Sequence, residues 1–225
     1  MSTQRIACAL ACAAVVACHD TQADSPENFS RALDAYLAER GELCVGKSEW
    51  PIDVTAREAE LGTRDAKQMP VLERLGLVTS SDAVARRKDE DQTFEVPVRR
   101  YELTPAGREF YHARSEQNAQ GDVVAGSDLC VAKLTREKLV SSHVTNDAKG
   151  RRSAVLWYTY RVTPAPWTAD PEFLRVFPAV AHVLAGAGKA ELREEVTLTA
   201  DGWVALELLG GAKSPSPAAS QASAR

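Results

Sequence analysis

The chain reads as an α+β protein: a helix–hairpin–helix module in the first half, then a small antiparallel sheet with one covering, kinked helix. Three stretches predict this. Between Val71 and Tyr111 a helical run with Val71, Leu72 and Leu75 stops at Gly76, the residue type best suited to a left-handed cap. Leu77-Val78 and Arg100–Leu103 then flank a polar loop as paired strands, and Thr104-Pro105 opens another helix. Ser153 to Thr163 is rich in β-branched and aromatic residues, with Leu156, Tyr158, Tyr160 and Val162 on one face. Finally, Ala190, Leu192, Val196 and Leu198 alternate with polar residues ahead of an Asp201-Gly202 hairpin turn.

Taken in order, the first 17 residues have the character of a signal peptide. Arg5 precedes the apolar run Ile6–Ala17, which is too short to span a bilayer. Val15-Val16-Ala17-Cys18 resembles a bacterial lipobox, and the resemblance implies a lipid on Cys18 and residence at the periplasmic face of the outer membrane. Val three places before the cysteine, a single n-region charge, and the extra Cys8 and Cys12 depart from that pattern. Cleavage after Ala23, or an apolar first helix of a cytosolic protein, are the alternatives. Residues 18–27 are then a lipidated tether. Cys44 and Cys130, the thiols left once the leader is removed, make a natural disulfide in an oxidising compartment; two independent buried cysteines are the alternative.

Residues 28–116 form the first module. Phe29, Leu33, Tyr36 and Leu37 recur at helical spacing up to Gly41, and Leu43-Cys44-Val45 is a short strand. Asp53 or Thr55 caps a short helix, and Thr63 caps the next, Arg64 to Leu75, which Pro70 either kinks or shortens. The phrases around Leu72, Leu75-Gly76-Leu77-Val78 and Tyr101, Leu103-Thr104-Pro105, Gly107 resemble the wing region of MarR- and PadR-type regulators. That resemblance implies a winged helix and, as an alternative function, a DNA-binding transcriptional regulator. The charge pattern argues against nucleic acid as partner. The formal charge is −4, the expected recognition helix sets Arg64, Lys67 and Arg74 against Asp65 and Glu73, and the wing tip Arg86–Asp91 neutralises itself.

Thr104-Pro105 starts a helix reaching about Gln117, and the polar, Gly-containing residues 117–127 form a linker. Residues 128–210 make the second module. Leu129–Val144 is a strand broken near Glu137, followed by the Ser153–Thr163 strand. Asp170-Pro171-Glu172 starts the covering helix, whose stripe of Phe173, Val176, Phe177, Val180, Val183 and Leu184 is interrupted by Pro178. The last hairpin runs from Ala190 to Leu209. Residues 211–225, rich in Pro, Ser and Ala, have the composition of a disordered tail.

No catalytic constellation is legible. His19, His112, His143 and His182 have no ligand spacing, so no metal is expected. Ala185–Lys189 lacks the first Gly and the Ser/Thr of a phosphate loop, and no cofactor motif is present. Glu194 and Glu195 are adjacent on a strand and point to opposite faces. Trp157, Tyr158, Tyr160, Trp167 and Trp203 are either core or the lining of a groove for a peptide, glycan or lipid. The expectation is therefore a non-enzymatic, lipid-anchored envelope protein that binds another protein or serves a structural role. An envelope glycan- or peptide-binding protein or enzyme is the third option.

Overall fold

The computed structural model describes residues 20–89, 92–117 and 123–209. The leader, Cys18 and the expected tail fall outside these, as do residues 118–122 of the expected linker. Helix α1 (Pro26–Arg40) starts at Ser25, whose side chain accepts the Asn28 N–H. Strand β1 (Glu42–Cys44) follows, then β2 (Ile52–Thr55) and α2 (Ala56–Leu61). The start of α2 is a complete capping box: Thr55 accepts from the Glu58 N–H, and Glu58 accepts from the Thr55 backbone. Helix α3 (Arg64–Arg74) continues through Pro70, and the hairpin of β3 (Val78–Asp89) and β4 (Gln92–Leu103) follows. Strand β2 pairs with β4, giving a three-stranded sheet in the order β2-β4-β3.

Helix α4 (Pro105–Arg108) is a single turn, and strand β5 (Tyr111–Gln117) leads to β6 (Val123–Asn146). Strand β7 (Arg152–Pro164), helices α5 (Pro171–Val176) and α6 (Pro178–Gly186), β8 (Glu191–Thr199) and β9 (Gly202–Ala205) complete the chain. The large sheet has the order β1-β6-β7-β8-β9, with β5 also paired to β6. Its five-strand path is antiparallel and curls into a half-barrel.

The expected winged helix followed by a small sheet with one kinked covering helix is not what forms. Strand predominates over helix, and the large sheet draws strands from both halves of the sequence. Helix α1 does not join α2 and α3. Its apolar side, with Phe29, Ala32, Leu33, Tyr36 and Leu37, fills the half-barrel against Leu156, Tyr158, Leu192, Val196 and Trp203. The Pro-interrupted helix is not the sole cover of that sheet. Pro178 splits it, and Phe173, Phe177 and Val180 join Met69 and Leu72 of α3 in a second core with Leu129 and Val131 of β6.

Two further differences have local causes. The helix expected to reach Gln117 ends after one turn, and Tyr111–Ala113 pair with Ser127–Leu129 instead. Val123–Ser127, expected in the linker, belong to β6. The break foreseen near Glu137 is a pair of bulges: the β6–β7 register shifts between Arg136 and Lys138, and again between Leu139 and Ser141. Strand β6 thus bends without ending. Among the described residues no helix is long and apolar enough to cross a membrane.

Candidate functional site

A groove of about 370 Å³ is bounded by α2, α3 and the β2-β4-β3 sheet. Val54, Val98 and Tyr101, all at least nine-tenths buried, contribute to its lining. Ala56, Ala59 and Ala66 keep its helical wall low, while Asp82 and Arg99, directly paired across β3 and β4, supply one charge of each sign. Glu73 stands 3.8 Å from Arg99. Beside this wall the Arg100 guanidinium donates to both oxygens of Asp53 at 2.7 Å, and this pairing holds the Asp53 carboxyl below its usual range. The arrangement suits an apolar segment with a polar group at one end.

A second concentration of chemistry lies inside the half-barrel. Strand alternation turns Glu194 inward between Leu192 and Val196, and it is only 6% exposed. Burial, and then the nearby Glu207 carboxylate, push the Glu194 carboxyl up to about 8, so it carries its proton at neutral pH. The Tyr36 hydroxyl donates to Glu207 at 3.1 Å. Burial raises the Tyr36 and Tyr158 phenols above their ordinary value, with Glu194 the next cause for each. A protonated carboxyl beside a carboxylate is acid–base equipment, but Tyr36, Tyr158 and Glu194 are buried under α1 and only Glu207 of the cluster is part-exposed.

The third place is the junction of β1, β5 and β6. Cys44 and Cys130 are disulfide-bonded, and they are paired residues of β1 and β6. Asp128, two residues away, accepts from the backbone N–H groups of Gly46 and Lys47, which fixes the loop leaving β1. The Lys47 ammonium, itself buried, pairs with Asp65 of α3. Glu42 and His112 flank the disulfide, with the Glu42 Oε2 3.6 Å from His112 Nδ1.

The five aromatic residues considered for a groove are not gathered into one. Tyr158 and Tyr160 point into the half-barrel, where the Tyr160 hydroxyl donates to the Val183 carbonyl at 2.9 Å. Trp203 packs edge-on to Phe29 and donates to the Ala23 carbonyl. Trp167 lies in the other core, edge-on to Phe110 and Phe173, and its indole N–H is buried without a partner. Trp157 occupies the opposite face of β7 from Tyr158 and Tyr160.

Of the basic residues expected to face DNA, Arg74 is held by Asp170 at 2.8 and 3.0 Å. Gln68 on the same helix donates to the Val176 carbonyl, so α5 occupies one face of α3. Sequence reasoning did not find Glu207, Glu42 or His112 as partners of anything, and it placed Glu194 and Glu195 only on opposite faces of a strand. No protein-family model matches this chain, and no curated protein or solved structure matches it either.

Proposed function

We propose that this chain is a non-enzymatic lipoprotein of the cell envelope, held at the periplasmic face of the outer membrane by lipid on Cys18. It acts there as a protein-interaction or structural module. The observation that carries the compartment is the Cys44–Cys130 disulfide, since such cross-links persist where the environment is oxidising. The groove between α2, α3 and the three-stranded sheet is the surface assigned to the partner, an apolar protein segment oriented by Asp82 and Arg99. Nucleic acid is not assigned as partner. The net charge is −4, and Arg74 is already engaged by Asp170.

Labelling cells with radioactive palmitate, with fractionation of the same cells, tests this reading. The expected result is labelled protein in the outer-membrane fraction, and unlabelled protein when Cys18→Ser is expressed. Mature protein in the cytosol with Met1 attached and no acyl group overturns it. The envelope-enzyme reading draws on the neutral Glu194 beside Glu207. Turnover of a cell-wall fragment that Glu194→Gln abolishes would select it.

A further inference from the structure

We propose that reduction of the Cys44–Cys130 disulfide creates a zinc site from Cys44, Cys130, His112 and Glu42. One donor atom from each of Glu42, His112 and Cys130 already lies within 4.8 Å of the others. Cys44 Sγ is bonded to Cys130 Sγ, so the fourth donor adjoins the Cys130 member of that group. Two ligands about 2.3 Å from a tetrahedral zinc stand roughly 3.8 Å apart, so the three-donor group needs only small closures while the two bonded sulfurs must part on reduction. Two thiolates, an imidazole and a carboxylate are a donor set that zinc accepts.

The histidine is turned with one ring nitrogen to the cluster. His112 Nε2 is 3.1 Å from the Glu109 carbonyl, which can only accept, so Nε2 carries a hydrogen and Nδ1 is the ring nitrogen left for a metal. Nδ1 faces the Glu42 carboxylate at 3.6 Å. The other Glu42 oxygen is 3.5 Å from the Lys133 ammonium, which itself donates to the Ala38 carbonyl at 2.8 Å. Lys133 therefore orients Glu42 from the side away from His112. Glu42 and His112 are part-exposed and offer an entry path, while Cys130 closes the floor.

The chemistry balances with a dithiol as reductant. Thiol–disulfide exchange passes two electrons and two protons from the dithiol to the Cys44–Cys130 bond, leaving two protein thiols and an oxidised dithiol. Zinc then displaces the two thiol protons to solvent as both sulfurs become thiolate ligands. In the oxidised chain two of the four donors are tied up in the S–S bond, so the site exists only when a dithiol opens it.

The test uses the full chain with Cys8, Cys12 and Cys18 replaced by serine, so that its outcome is independent of leader processing and lipidation. The oxidised and dithiol-reduced forms are titrated with Co²⁺, and then with Zn²⁺ against a chromophoric chelator, with circular dichroism recorded alongside. The expected result is one equivalent of cobalt in the reduced form, showing thiolate charge-transfer and tetrahedral ligand-field bands, displaced by zinc. The oxidised form shows neither band. His112→Ala and Glu42→Gln weaken zinc binding by roughly tenfold or more, and Cys44→Ser abolishes the thiolate band. Reduced chain that binds no cobalt, or His112→Ala binding zinc as tightly as the parent, overturns the site. So does loss of the strand signal on reduction that one equivalent of zinc does not restore, because the donors depend on β1, β5 and β6 being in place.

Discussion

Glu194 is the residue whose surroundings conflict most with its charge. Burial comes first among the causes, then Glu207, and together they put its carboxyl at about 8 in the folded chain, against ~4.3 for an exposed glutamate. Below the unfolded value both states hold the proton and nothing is lost. Between the two values the unfolded chain gives up its proton while the folded chain retains it, so stability falls as pH rises through that interval. Glu194→Gln keeps the shape and removes the titration. Urea midpoints measured from pH 5 to pH 9 should fall for the parent relative to Glu194→Gln, by a few kcal/mol in free energy at the alkaline end. A difference that does not change with pH would mean that Glu194 is not held protonated. Asp170 behaves with the opposite sign: chiefly the Arg74 hydrogen bond holds it at about 2, so its contribution is present above the ordinary carboxylate range and is lost as pH falls from there to about 2. The splitting of Glu194 and Glu195 across the two faces of β8 was legible in the sequence. The meeting of Glu194 with Glu207 was not, because the expected strand to Leu209 ends at Ala205 and a turn of 3₁₀ helix carries Glu207 to Tyr36.

At the scale of elements, local chemistry was readable where a cap or a turn decides it. Thr55 with Glu58, Thr104 with the Gly107 N–H, Asp170 with the Phe173 N–H, and the split at Pro178 all appear as their side chains dictate. What failed was the assignment of partners. The stripe on α1 is as suitable for packing on helices as on a sheet, and only tertiary contact sends it to the half-barrel. Strand β5 was hidden because Phe110 and Tyr111 fit either a helix or a strand, and pairing with β6 settles it. The donors Glu42 and His112 stayed invisible for the same reason, since each lies on a strand that meets Cys130 only through β6. Gly41 shows how a residue can be readable for a second reason. It ends α1 as expected, yet its backbone is ordinary, with φ of −75°. A Cβ there would sit 2.3 Å from the Leu37 carbonyl and 2.6 Å from that of Leu134. The Leu134 N–H donates to the Gly41 carbonyl at 2.8 Å, so glycine lets the end of α1 lie directly on β6. Gly41→Ala should cost about 1–3 kcal/mol by forcing these backbones apart. Urea denaturation would show it; an unchanged midpoint would mean that the contact is not close in solution.

At the scale of the whole molecule, the contacts cross the boundary expected between residues 28–116 and 128–210. Strand β1 pairs with β6, and the disulfide reinforces that pairing across a sequence separation of 86. Closing so long a loop stabilises by about 4–5 kcal/mol in the chain-entropy model. The second core is the more telling junction. Phe173 of α5 is completely buried among Met69 and Leu72 of α3 and Leu129 of β6, and it is edge-on to Trp167 at 5.1 Å between ring centres. Arg74 and Asp170 close the rim of the same contact. A residue so placed belongs equally to both halves, so its loss should be felt by both. Phe173→Ala should cost about 3–5 kcal/mol. Because the core is common property, the halves should still melt together, and tryptophan fluorescence and far-ultraviolet circular dichroism should report coincident transitions in parent and variant alike. If the variant instead shows two separated transitions, with the half-barrel surviving unchanged while α2, α3 and the hairpin unfold first, the shared core is weaker than its burial implies and the two halves are energetically independent.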